Sequence, residues 1–100
     1  MAGSIHVRLG QVVATPGALA VLERAGGDGY EILLMASLLK RHQSGDWGEM
    51  SDEDKRTNND ALTPGDEARV LSAYTVGNQK VWVITEWSRE VTTILLPEEY

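Results

Sequence analysis

This 100-residue chain contains no cysteine and no phenylalanine, and histidine occurs only twice, at His6 and His42. The missing thiols exclude disulfides and thiolate metal sites and fit a reducing compartment. Two isolated histidines, not paired at helical spacing, give no basis for a structural zinc site. Asp52, Glu53 and Asp54 are adjacent, but the calcium-loop pattern with a central glycine and a terminal glutamate is missing, so no metal is assigned. No glycine-rich phosphate loop follows a strand. Gly26-Gly27-Asp28-Gly29 falls between two helical patterns as a connector, and no cofactor is expected. The longest apolar stretch, Ile32 to Leu39, is too short to span a bilayer, and the N-terminus lacks the basic start and apolar run of a signal peptide. These absences predict a single soluble, cytoplasmic domain over residues 1–100 with no membrane attachment.

What the chain does have is charge of one sign in one place. Between Ser44 and Glu67 stand eight acids (Asp46, Glu49, Asp52, Glu53, Asp54, Asp60, Asp66 and Glu67) against Lys55 and Arg56, which accounts for the whole net charge of −6. The remaining seven acids and seven bases cancel. Carboxylates are too costly to bury unpaired, so this segment must face solvent. A pI near 4.7 sets the overall field against nucleic acid, and a nucleic-acid partner is disfavoured.

The order of elements reads as α+β. Ile5, Val7 and Leu9 alternate with His6 and Arg8, which predicts a strand from Ile5 to Val13. Thr15-Pro16 caps a helix carrying Leu19, Leu22 and Ala25, ended by Gly26-Gly27. Asp28 and Glu31 resemble a capping box for a second helix running toward His42, which is apolar nearly all round and so is expected to be the central buried one. Ser51 and Asp54 start a third helix to about Leu62, polar from Ser51 to Asp60, whose anchors must be Trp47, Met50, Ala61 and Leu62. After Thr63-Pro64-Gly65, three strands follow at Val70–Thr75, Lys80–Thr85 and Val91–Leu96, the first two joined by a Gly77-Asn78 turn. That turn pairs Tyr74 with Val81, Ser72 with Val83 and Val70 with Thr85. Leu71, Ala73, Trp82 and Ile84 then share the other face, the expected core face. The fold expected is an N-terminal strand, three helices and a C-terminal three-stranded antiparallel meander, which the first strand can join as a fourth. The register of the last strand stays open, so either Thr92 or Thr93 joins the Ser72 and Tyr74 face.

Two kinds of chemistry are compatible with these residues. His42, Arg89, Tyr74 and Thr92 (or Thr93) could supply a general acid or base, a cation and phosphate-positioning hydroxyls, the set a small metal-independent ribonuclease requires. Helices followed by an antiparallel meander are similar to the barnase/RelE-like arrangement, a likeness of fold alone. In the bland alternative His42 caps its helix, Arg89 is a turn residue and the threonines are strand formers. The other class is a binding protein whose contacts are Asp46, Trp47, Asp52, Glu53, Asp54 and Trp87. Trp47, in a Gly-Asp-Trp-Gly turn, can be a partner anchor or a buried plug, with the plug favoured. Trp87 is expected to be exposed and Trp82 to be core. Eight carboxylates on a helix of roughly 18 Å fall short of the charge density of duplex DNA, so mimicry of nucleic acid would cover only a small basic patch.

The run Leu39-Lys40-Arg41-His42-Gln43-Ser44-Gly45-Asp46-Trp47-Gly48, with Glu53-Asp54, Asn58, Ala61-Leu62, Val81 to Glu86 and Arg89 to Tyr100, resembles a small family of bacterial proteins carried on plasmids and other mobile elements. Members are labelled plasmid-related or hypothetical, some with a link to type I restriction systems, and no reaction is assigned to them. Two departures stand out: Ser88 occupies the position before Arg89 where an acid is expected, and the connector from Gly26 to Leu38 is longer. The resemblance implies a bacterial accessory protein. The preferred reading is a non-enzymatic mobile-element accessory that binds a protein partner through its acidic segment, with a homodimer left open, and the alternative is the ribonuclease.

Overall fold

In the computed structural model of the chain, residues 7–27 and 29–100 are described. Strand β1 (Gln11–Ala14) is followed by helices α1 (Pro16–Gly26), α2 (Glu31–Gln43) and α3 (Asp52–Asp60). Strands β2 (Val70–Val76), β3 (Gln79–Thr85) and β4 (Val91–Leu95) and a 3-10 turn at Pro97–Glu99 complete the order. The strands form one mixed sheet in the order β1-β4-β3-β2, antiparallel except that β1 runs parallel to β4. The fold is α+β, and the first strand joins the meander as its fourth.

β1 begins later than the alternation at Ile5 to Leu9 predicts; Ile5 and His6 lie outside the described residues. Gly10 breaks the pattern. Its φ is +64°, and a Cβ there would stand 2.3 Å from the Glu90 carbonyl oxygen, so only glycine lets the chain pass this close. Val7 is instead a buried residue beyond the sheet, its amide donating to the Gln43 carbonyl at 3.0 Å.

α1 has the predicted ends. The Thr15 hydroxyl accepts from the Ala18 amide at 3.1 Å, Pro16 occupies the first turn and Gly27 follows with φ +75°. Its buried stripe is Ala18, Val21 and Leu22, whereas Ala25 is exposed. α2 corrects the expectation of a central buried helix, because only Leu38 and His42 are buried on it, while Ile32 and Leu33 are 68% and 63% exposed. An apolar composition all round did not bury it, because α2 lies on the surface of the core cluster and packs against it through one stripe, Leu38 with the partly buried Leu34, Met35 and Leu39. Asp28, the first half of the expected capping box, lies outside the described residues.

The β2–β3 register is the predicted one, with Val70, Ser72 and Tyr74 opposite Thr85, Val83 and Val81. The open question about β4 resolves in favour of Thr92, which pairs with Thr85, while Thr93 pairs with Ile84. Of the expected core face Ala73 and Ile84 are buried but Leu71 and Trp82 only half so, and the main helix-packed cluster lies on the opposite face. The helices pack on Tyr74, Val76, Val81, Val83 and Ile94, with Ala18, Val21, Leu22 and Leu38 opposite. Hydrophobicity misled here because three polar residues of this face, Ser72, Thr85 and Thr92, are fully buried and satisfied by hydrogen bonds to one another and to α2. Trp82 accordingly lies half-buried on the outer face, its ring edge-on to Tyr100 at 5.7 Å. A second apolar cluster of Val7, Trp47, Ala61 and Val70, joined by Met50 and Leu62, holds the two ends of α3, as its polar composition required.

Candidate functional site

The residues that would serve a ribonuclease come together only in part, and in the interior. His42, from the last turn of α2, is completely enclosed, and both ring nitrogens are bonded: Nδ1 to Ser72 Oγ at 2.6 Å and Nε2 to Thr85 Oγ1 at 2.9 Å. Thr85 Oγ1 meets Thr92 Oγ1 at 2.7 Å, and Thr92 Oγ1 donates to the Leu9 carbonyl at 2.8 Å. The carbonyl can only accept, so it fixes the protons from Leu9 back to the His42 ring. Thr92 gives its proton to Leu9, Thr85 must give its own to Thr92, and His42 must therefore donate from Nε2; in the neutral ring Nδ1 then accepts from Ser72. Burial, with Arg89 adding to it, pushes the imidazole pKa down to about 4.

Arg89 does not meet this ring in a cleft. From a left-handed backbone position, φ +62°, its guanidinium donates to the carbonyls of Ala68 at 2.7 Å, Ala61 at 3.0 Å and Glu86 at 3.0 Å. It thereby fastens the β3–β4 loop to the C-terminal end of α3 and to the segment that leads into β2. Tyr74 is buried, donates from its hydroxyl to the Asp46 carbonyl at 2.6 Å and has its pKa raised to about 12 by burial. Thr93, the other threonine considered, is half-buried on the outer face.

The Arg-His…Gly-Asp-Trp-Gly run proves to be a clasp. Arg41 Nε bonds Asp46 Oδ2 at 2.7 Å, which holds that carboxyl below the usual range, and the Arg41 guanidinium lies 4.4 Å from the Tyr74 ring centre. His42 and Trp47 stand edge to face at 5.7 Å. Gly48, at φ +76°, passes so near β2 that a Cβ would lie 2.1 Å from the Ala73 carbonyl oxygen. The turn therefore pairs with the β2 edge: Ala73 N donates to Trp47 O at 3.0 Å and Glu49 N to Ala73 O at 2.6 Å. Trp47 is a plug, 3% exposed, with its indole N–H on Asn59 Oδ1 at 3.0 Å. Among the proposed binding residues, Trp47 thus offers no surface and Asp46 is held in an ion pair.

The surface that is presented belongs to α3. Asp52, Glu53 and Asp54 fill its exposed first turn, where the helix dipole favours them, behind the Ser51 cap whose hydroxyl accepts from Asp54 N at 3.0 Å. Between its apolar ends the helix is pinned to the sheet edge by a residue that sequence reasoning gave no role. Asn58, 4% exposed, donates from Nδ2 to the Leu71 carbonyl at 2.8 Å and accepts at Oδ1 from the Leu71 amide at 3.1 Å, so its side chain pairs with the free edge of β2 as another strand would. The available signal was that Asn58 shares a helix face with Ala61 and Leu62, three and four residues on.

Beside α3 the outer sheet face opens a groove of about 310 Å³ lined by Leu71 and Trp82 of the sheet, Asp54, Thr57 and Asn58 of the helix, and Met50 and Arg69. Arg69 lies over the Tyr100 ring at 5.2 Å. Neither Asp54 nor Arg69 forms an ion pair among the described residues. Trp87, 67% exposed, sits in the loop that Arg89 ties to the other end of α3. No group of three or more metal-ligating side chains occurs among the described residues. Comparison with models of protein families, with curated proteins and with solved structures finds no match for this chain.

Proposed function

We propose that this chain is a non-enzymatic protein-binding module, an accessory of a mobile element as its resemblance implies, that takes a basic segment of a protein partner along α3. The observation that carries the reading is the reciprocal Asn58–Leu71 amide pair. It makes an otherwise solvated charge run into a rigid ridge, because α3 has no broad apolar face to hold it. Asp52, Glu53 and Asp54 supply the charge, the Trp82 groove beside them takes an apolar neighbour of the basic residue, and Trp87 contributes a second aromatic contact. Asp46 and Trp47 act from behind, holding the turn that leads into the helix.

The test is affinity capture from host lysate with wild type, with Asp52→Asn/Glu53→Gln/Asp54→Asn and with Trp87→Ala. A partner captured by wild type should be lost with the neutralised helix, and its binding should weaken steeply as salt is raised. Equal capture by all three proteins removes the ridge from the reading. Incubation with total RNA tests the alternative: no cleavage is expected, and cleavage that disappears in His42→Ala would put the ribonuclease in its place.

A further inference from the structure

The two edges of the sheet are treated differently. The β2 edge is covered by the Trp47–Glu49 turn and by the Asn58 amide. The β1 edge is bare among the described residues. Gln11 N donates to Glu90 O and Thr15 N to Ile94 O, so alternate residues of β1 face β4 and the amides and carbonyls of Val12 and Ala14 point outward. Gln11-Val12-Val13-Ala14 has no charge, proline or bulge to blunt that edge, and Val12 and Val13 are 36% and 40% exposed.

We infer that β1 is a homodimer edge, pairing antiparallel with β1 of a second copy about a two-fold axis at Val13. A strand edge is complementary to itself in this arrangement. With the axis at Val13, Val12 and Ala14′ exchange both hydrogen bonds, Ala14 and Val12′ do the same, and the two Val13 residues face each other as a non-hydrogen-bonded pair. Charge favours a second copy as the occupant. Exposed Arg8 precedes β1, and exposed Glu98 and Glu99 stand at its other end, where Glu99 accepts from the Thr15 hydroxyl at 2.5 Å. Antiparallel pairing brings Arg8 of each copy to the acidic end of the other. The acidic helix α3 is at the opposite edge, three strand spacings or roughly 14 Å away, beyond a Debye length of about 8 Å, so the net charge of −6 does little to separate the copies. Two short strands bury less than the roughly 1,200 Å² of a stable interface, so the dimer is weak, with a Kd on the order of 10–100 µM.

The absence of native cysteine makes the register directly testable. Under mild oxidation Val13→Cys should give a disulfide-linked dimer, because a non-hydrogen-bonded antiparallel pair sets the Cα atoms at about 4.5 Å. Val12→Cys, equally exposed, should lag at least tenfold, because its symmetry mate is two residues out of register. Sedimentation equilibrium of wild type should show reversible dimerisation, weakened at least tenfold by Val13→Lys. Arg8→Glu should weaken it as well, and adding Glu98→Lys should restore it. A wild type that stays monomeric to 1 mM, equal crosslinking at both positions, or no rescue by the charge swap overturns the inference and leaves the edge to a different strand.

Discussion

His42 Nε2 donates to the Thr85 hydroxyl at 2.9 Å, deep in the domain, and no part of the ring reaches solvent. The histidine that looked most like a catalytic base is the polar centre of the core.

Its protonation should set the acid limit of the fold. The folded pKa of about 4 lies below the unfolded value near 6.5, so between these limits the unfolded chain binds the extra proton and stability falls as pH falls. The loss is fully developed below about pH 4 and amounts to about 3 kcal/mol. Urea titrations from pH 7.5 to 3.5 would measure it, and a His42→Gln variant should lose this part of the slope.

Removal of the ring is expected to cost more than its volume alone. His42→Ala leaves the Ser72 and Thr85 hydroxyls without their partner beside a new cavity, and should destabilise by about 3–5 kcal/mol. Chemical denaturation at pH 7 checks this.

Asn58→Ala should loosen α3 selectively. Loss of the amide pair leaves the Leu71 backbone unpaired and costs about 2 kcal/mol, with amide exchange rising across residues 52–60 before the sheet. Asn58→Asp should be no better than alanine, because a carboxylate oxygen would then face the Leu71 carbonyl.

Gly48→Ala tests the clasp. A left-handed backbone and a Cβ 2.1 Å from the Ala73 oxygen leave no room, and a loss of at least about 3 kcal/mol is expected by thermal unfolding. Gly65→Ala is the control; its φ is +92° but its Cβ would meet nothing within 4 Å, so it should cost only about 1 kcal/mol.

Arg89 should behave as a fastener rather than a charge. Arg89→Lys keeps the cation but cannot reach three carbonyls from one fork, so it should lose nearly as much stability as Arg89→Ala, about 1–2 kcal/mol. Differential scanning calorimetry of the two variants decides it.

Much of the fold was legible because local signals agreed. The Thr15-Pro16 start, the Gly26-Gly27 stop, the Ser51 cap and the Gly77-Asn78 turn are each set by residues within a few positions, and the last of these fixed the β2–β3 register. What was not legible depends on satisfaction at long range. Ser72, Thr85 and Thr92 look like solvent-facing residues until the His42 ring is placed between Ser72 and Thr85, so counting apolar side chains missed the face that the helices cover and put Trp82 inside, though Ala73 and Ile84 beside it are buried. Asn58 is invisible for the same reason, since its partner is backbone thirteen residues away.

The hydrogen-bonded series Ser72, His42, Thr85, Thr92, Leu9 runs in one direction and touches β2, α2, β3, β4 and the segment before β1 in turn. No member can let go without stranding its neighbour in a place water does not reach, so these elements should open as one cooperative foldon with the free energy of global unfolding. α3 lies outside that series and is fastened separately, by the Asn58–Leu71 amide pair, the Trp47–Asn59 and Arg89–Ala61 bonds and the apolar cluster at its ends. The charge is thus carried on an element braced against the core at several points without belonging to the core's own hydrogen-bonded series.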